Sequence, residues 1–433
     1  MILPELKTSE TDFESRFDAG QGLASQEVQT TRKRVFEIVD TVRNCGDDAL
    51  LDYTERFDGV KLAPERMRVS EDEIDAAFAA VPRELTEALE TAAQRICDFQ
   101  KSILLADPDP LRKEGRQLSL HYSPVESAGI CVPGASASLA SSVLMNVIPA
   151  AVAGVERICM ITPPERDGTV SADRLAAARI AGATEIYRVF GAQAVAALAF
   201  GTETIKPVDY IAGPGNVYVA SAKKAVFGHV GIDMIAGPSE VVVIADETAN
   251  ARWVAAELLA QAEHTRGSAT LLTDSANLAE DTRAELEEQA ATLPRSEDIQ
   301  RCLEEFGAII LTQNTIESVA LSNRIAPEHL VIMSDNAEDI CEDVRHAGAI
   351  FLGHFTPVAV GDYIAGPSHT LPTGGTARFS SGLTANHFMK SSSVVRYDRD
   401  SLVEDAPKLT RIAEAEQLNA HAGSVLARIE EED

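Results

Sequence analysis

Gln261 and His264 stand three residues apart at the end of the stretch SEVVVIADETANARWVAAELLAQAEH (239–264). The stretch reads as a buried strand running into an amphipathic helix. Residues at i and i+3 share a helix face, so an amide oxygen and an imidazole can point at one spot. Such a pair can hold a metal ion if further ligands arrive from elsewhere. Candidates lie far away in sequence: Glu328 and His329 in APEHL, Asp362 in GDYIAGPSH, and His421 near the C-terminus. A Gln, an Asp and two His make a mixed nitrogen and oxygen set suited to zinc. No short-range spacing forces them together, and a pair on one helix face is more often solvated or hydrogen-bonded than a metal site. Glu328 and His329 offer a second chemistry, because a carboxylate beside an imidazole suits proton transfer near neutral pH. Adjacent side chains on a strand point to opposite faces. Both reach one site only if the backbone is irregular there, and Pro327 favours a strand start at this point; two polar residues at a sheet edge are the alternative.

The elements that must position these residues read as α/β. Residues 1–28 are polar and look like a short arm. Helical spacing runs from about Val28 to Phe57, where Gly46 should end one helix, and Pro82 should break the helical stretch that follows. From GICV (129–132) onward, apolar runs alternate with helices: ERICMIT, EIYRVF and YIAG, then, after IAGPSE, EVVVIAD, ATLLTD, GAIILT, HLVIMS and AIFLGH. This alternation is the signature of βαβ units on parallel sheets. After about Phe379 it stops. A polar, partly extended segment leads to a closing helix at roughly 407–430, too short for a large core of its own. Neither GxGxxG after a strand nor GxxxxGK[ST] occurs. AGPGN, with Gly213, Gly215 and Asn216, and PGASAS (133–138) lie between strand and helix. Either could bring backbone to a phosphate at a helix N-terminus, or be an ordinary βα turn.

The chain has 433 residues, too many for one core, so at least two domains are expected. The formal net charge of −29 argues against a nucleic-acid partner and an anionic membrane surface, both of which need a basic face. A charge this large points to a surface adapted to concentrated salt, where screening removes self-repulsion; an ordinary acidic cytoplasmic enzyme is the alternative. The six cysteines form no CxxC pair, which excludes a disulfide framework or a cysteine zinc site. No signal-peptide pattern and no spanning apolar run is present, so a soluble cytoplasmic protein is expected.

Six motifs, in order and at matching separations, resemble the histidinol dehydrogenase family: GPGN, AGPSE, LLAQAEH, APEHL, GDYIAGPSHTLPT and AEQLNAH. VRNCGDDALLDYTERFDG and VFGAQAVAALAFGT extend the likeness to nearly the whole chain. The resemblance implies oxidation of L-histidinol to L-histidine through L-histidinal, the last step of histidine biosynthesis, with two NAD and one zinc per active site. Its zinc ligands would fall on Gln261, His264, Asp362 and His421. Substrate contacts would include Ser239, His329, Glu416 and the zinc ligands, and NAD contacts Gln193 and Asn216. His329 would be the proton acceptor and Glu328 the group that activates water. The family's homodimer is intertwined, so the C-terminal segment 381–433 would complete the partner's site. Residues 29–128 and 240–380 would form one incomplete Rossmann-like domain carrying most zinc and catalytic residues, and 129–239 a second on the NAD side. One position departs from the pattern. GICVPGA carries Cys131 and Ala135 where the family has GxYVPGG, which implies weaker NAD binding there. A dehydrogenase of another amino alcohol and a zinc hydrolase using Glu328 are the rival activities.

Overall fold

Two parallel sheets form from the alternating apolar runs. The computed structural model describes residues 3–21, 25–134, 139–263 and 267–430, so His264 and Ala135 lie outside the described residues. The first sheet has six strands: β1 (Glu5–Lys7), β9 (Glu240–Ala245), β10 (Ser268–Thr273), β11 (Gly307–Leu311), β12 (His329–Met333) and β13 (Ala349–Leu352), in the order β1-β11-β10-β9-β12-β13. The second has five: β4 (Ser127–Cys131), β5 (Arg157–Ile161), β6 (Glu185–Tyr187), β7 (Tyr210–Ala212) and β8 (Gly231–Ile232), in the order β6-β5-β4-β7-β8. Leaving out β1, the winding is the same in both. The first strand is central, the next two build outward on one side, and the last two on the other.

The central strands read as continuous apolar runs because both faces are covered. Val241, Val243 and Ala245 of β9 pack with Val254, Leu258 and Leu259 of the helix Ala251–Ala262. Val242 and Ile244, on the opposite face by strand alternation, pack with Leu330, Ile332 and Val319. The five-stranded sheet is covered by the alanine-rich helix Ala192–Phe200, whose small side chains let it seat closely among Val189, Ile211 and Val219.

The N-terminal residues are more than an arm. β1 pairs in parallel with β11, Leu6 opposite Ile310, and the helix Phe13–Gln21 buries Phe13 and Phe17 in the same cluster as Val242 and Ile244. Gly46 breaks helical geometry (φ 55°, ψ −133°) inside Ser25–Asp58 as its sequence position suggests. Pro82 separates Glu71–Ala80 from Arg83–Ser102.

Residues 104–125 and 389–430 form a separate compact unit. It holds an antiparallel sheet of β2 (Leu111–Lys113), β3 (Arg116–Pro124) and β14 (Met389–Tyr397), in the order β14-β3-β2. β14 and β3 pair along their full length, from Met389 opposite Pro124 to Tyr397 opposite Arg116. The closing helix begins earlier than expected, at Arg399, and stops at Ala415. Gln417 then takes a positive φ of 61°, and a second helix, Asn419–Leu426, follows. Among the described residues, no helix is long and apolar enough to cross a membrane.

Candidate active site

The strand β12 begins at His329, and Glu328 lies just before it. That boundary resolves the geometric difficulty of two adjacent polar residues, because Glu328 is free of the strand's alternation. Both side chains are 5% exposed. The Glu328 carboxylate accepts hydrogen bonds from the backbone N–H of Glu240 (3.0 Å) and from the Ser239 hydroxyl. His329 Nδ1 faces the carbonyl oxygen of the same Glu240 at 3.3 Å. A carbonyl can only accept, so Nδ1 carries the proton and Nε2 is left with the lone pair. Nε2 is turned toward Asp362 Oδ1, 3.8 Å away. Glu240 therefore contacts both side chains through its backbone. Its side chain, in turn, accepts from the backbone N–H groups of Gly374 and Gly375, tying down the PTGG loop. Sequence reading passed over Glu240, because an acid opening a strand looks like a surface residue.

Asp362 reaches His329 through a glycine. It lies on the short helix Val358–Tyr363, and a Cβ on Gly361 would come within 2.6 Å of the Phe351 ring. The bare glycine lets this helix rest on Phe351, whose ring centroid is 6.0 Å from that of His329. Burial pushes the carboxyl groups here well above their ordinary range: Glu328 to about 8, Glu240 to about 7 and Asp362 to about 6. In all three, the charges of neighbouring carboxylates or competing hydrogen bonds modify the dominant effect of burial. No lysine or arginine is paired with any of the three among the described residues.

A group of buried carboxyls with no basic partner is an environment that a metal ion would complete. Gln261 lies at the same end of the sheet, since a Cβ on Gly267 would fall 2.7 Å from its Nε2 and 3.4 Å from the Ser239 carbonyl oxygen. It is 5% exposed on the last turn of Ala251–Ala262, and its Nε2 has no hydrogen-bond partner among the described residues. Amide oxygen and nitrogen exchange places by a simple flip, so an oxygen ligand is equally available. Gln261 and Asp362 thus fit an oxygen- and nitrogen-seeking divalent ion. No three His, Cys, Asp or Glu side chains cluster at ligand spacing among the described residues. A set containing a Gln, and His264 outside the described residues, would not form such a trio. Glu416 and His421 belong to the separate unit of residues 104–125 and 389–430, where both are exposed.

The remaining candidates gather at the five-stranded sheet. The winding reverses between β4 and β7, the switch point beside which open α/β sheets bind ligands. GPGN follows β7. Gly213 has a φ of 105° and passes so close to β4 that a Cβ would fall 2.3 Å from the carbonyl oxygen of Cys131. Asn216 caps the helix Val217–Val226, its Oδ1 accepting from Tyr218 N (3.0 Å) and Val219 N (3.1 Å). Gln193 is 1% exposed in the first turn of Ala192–Phe200 and folds back over Gly191. Cys131 is fully buried in the apolar core, and desolvation pushes its thiol up to about 12, so its side chain presents no surface on which a cofactor could stack.

The GPGN loop is held by a buried ion pair that sequence reading also missed. Lys223 Nζ bonds the Gly213 carbonyl oxygen (3.0 Å) and pairs with Asp233, which accepts from Gly213 N (2.8 Å). The segment after Asp362 is tied to this half of the molecule as well. Ser368 Oγ donates to Met145 O (3.0 Å), Thr370 Oγ1 to Asn146 Oδ1 (3.0 Å), and His369 Nε2 meets Ser142 Oγ (3.2 Å).

Known proteins carry a similar sequence and architecture. Residues 23–429 match the family model described as histidinol dehydrogenase. A histidinol dehydrogenase of Geobacillus kaustophilus (strain HTA426) is 50% identical over 400 residues, covering 92% of this chain and 94% of that protein. That of Agrobacterium fabrum (strain C58 / ATCC 33970) is 48% identical over 428 residues, covering 99% of each. The crystal structure of histidinol dehydrogenase from Elizabethkingia anophelis superposes with a TM-score of 0.92 at 37% identity, covering 99% of this chain and 98% of that one. The motifs that surround Glu328 and His329 are thus embedded in a likeness that runs from end to end, and the chain belongs to the histidinol dehydrogenase family.

Proposed function

We propose that this chain oxidises L-histidinol to L-histidine through L-histidinal, using two NAD and one zinc per site, as the last step of histidine biosynthesis in the cytoplasm. The observation that carries the mechanism is the convergence of Glu328 and His329 on the space beside Asp362. Zinc held by Gln261, His264, Asp362 and His421 would supply a fixed positive charge for the imidazole and amino nitrogens of the substrate, and NAD, contacted through Gln193 and Asn216, would supply the hydride acceptor. Ser239, Glu416 and His329 would complete the substrate contacts. His421 and Glu416 would come from the partner of an intertwined homodimer, and residues 129–239 would form the NAD side.

The chain's own residues then divide two oxidations between them. His329 Nε2 takes the hydroxyl proton as hydride leaves the carbinol carbon. Its Nδ1–H bond to Glu240 keeps the ring in the tautomer that can do so. Glu328 takes a proton from water, which adds to the aldehyde to give the gem-diol. His329, after releasing its first proton to solvent, takes a second as the diol loses hydride. The deep burial of both residues retains the reactive aldehyde and excludes bulk water. Cys131, sealed in the core, offers the cofactor less than a tyrosine would.

Mixing the protein with L-histidinol and excess NAD at several salt concentrations, with and without a chelator, tests this reading. Two NADH per histidinol, lost on chelation and restored by zinc, is the expected result. One NADH would remove the role given to Glu328, and none at any salt would overturn the substrate.

A further inference from the structure

Neither the proposed ligand set nor the proton transfers use Glu257. It lies on Ala251–Ala262, four residues before Gln261 and on the same helix face, and is 8% exposed. Its Oε2 accepts from the backbone N–H of Val358 at 3.0 Å. Val358 opens the short helix Val358–Tyr363, where that N–H would have no intrahelical partner. Asp362 follows Val358 by four residues, about one turn. One buried carboxylate therefore joins the helix of Gln261 to the helix of Asp362. Its charge also lies near enough to that of Asp362 for the two to repel, and no lysine or arginine is paired with it among the described residues.

We infer that Glu257 is a positioning residue for the metal site. It clamps the two ligand-bearing helices together and places a second buried carboxyl group, with no lysine or arginine partner among the described residues, beside Asp362. This inference rests on the proposed reading of Gln261 and Asp362 as metal ligands. Groups that orient metal ligands typically contribute 10–100-fold to metal affinity, and the two parts of the role separate by substitution. Glu257→Gln keeps an oxygen that can accept from Val358 and removes the charge. Glu257→Ala removes both.

The test is zinc affinity of the full-length protein, read by competition with a chromophoric chelator, beside the thermal midpoint of the metal-free protein. Glu257→Ala should bind zinc about 10–100-fold more weakly. Glu257→Gln should lose a smaller factor, a few-fold, with an unchanged midpoint. Should Glu257→Ala fail to fold, that few-fold loss in Glu257→Gln at an unchanged midpoint is the supporting result. Wild-type affinity in Glu257→Gln, or in a folded Glu257→Ala, overturns the inference. Equal weakening in both variants overturns the clamp. Failure of the wild-type protein itself to bind zinc overturns the underlying reading of Gln261 and Asp362 instead.

Discussion

The two parallel sheets share one winding and use opposite edges. In the five-stranded sheet Cys131 ends β4, Gln193 follows β6 and Asn216 follows β7, all at the C-terminal ends of strands, where helices begin. In the six-stranded sheet Ser239, Glu240, Glu328 and His329 cluster at the N-terminal ends of β9 and β12, where the helix Ala251–Ala262 ends with Gln261. Helix starts present N–H groups and the positive end of the dipole, which suits a pyrophosphate; helix ends present carbonyls and the negative end, which suits cations. Buried charges follow the same division. Beside the five-stranded sheet, Lys223 pairs with Asp233, Arg174 with Glu165 and Arg188 with Glu73. Beside the six-stranded sheet, Glu328, Glu240, Glu257 and Asp362 have no lysine or arginine partner among the described residues. Buried charge that is already paired holds structure, whereas a buried group of carboxyls with no basic partner, pushed by burial toward the neutral form, leaves a place for a cation that would displace their protons.

The contrast breaks first at His329. Replacing it with Ala should reduce turnover of both L-histidinol and L-histidinal by about 10²–10⁴-fold, the usual contribution of a positioned base, while zinc content stays at wild-type level. Near-normal turnover would remove His329 from the chemistry. On the five-stranded side, Asp233→Asn leaves Lys223 buried and uncompensated, which should cost about 3–5 kcal/mol in chemical denaturation. A variant of wild-type stability would show that the pair does not hold the GPGN loop.

Glu328 sharpens the comparison through pH. Its folded pKa of about 8 stands above the ordinary 4.5, so the folded protein keeps a proton that the unfolded chain releases. The stability this contributes is complete below about pH 4.5 and is lost as pH rises through about 8. Glu328→Gln should flatten that slope in metal-free protein. It should also halve the NADH yield per histidinol. An unaltered yield would reassign the activation of water. The smallest effect is expected at Cys131. Because the thiol fills a closed core, Cys131→Tyr should cost about 1–3 kcal/mol by overpacking and should lower the NAD Michaelis constant only if the new ring escapes that core. An unchanged constant would sink the idea that this position limits cofactor binding.

Much of this was written in the sequence. The apolar runs of β4, β9 and β12 are continuous because both faces are covered, and their alternation with helices announces parallel sheets. The pairing of Glu328 with His329 was visible, as was the need for a strand boundary between them. β14 was harder to read, because its positions are almost all exposed in this chain and MKSSSVVRY therefore carries no alternation of buried and open residues. Glu240 and Glu257 were invisible for a related reason. An acid at a strand start or on a helix looks solvated until the fold buries it, and what they bind is backbone, which leaves no trace in residue types. Lys223 and Asp233 are ten residues apart, and only the closure of the GPGN loop brings them together.

The three-residue strand β1 has a consequence for handling the protein. It is the outermost strand beside β11, and a polar chain of so few residues makes a poor template for a neighbour. Without it, the backbone of β11, five residues running through Ile309 and Ile310, would lie open along its hydrogen-bonding edge. A shortened form beginning after Thr8 should therefore betray itself through turbidity and poor storage at high concentration, before any change in the chemistry of a site several strands away.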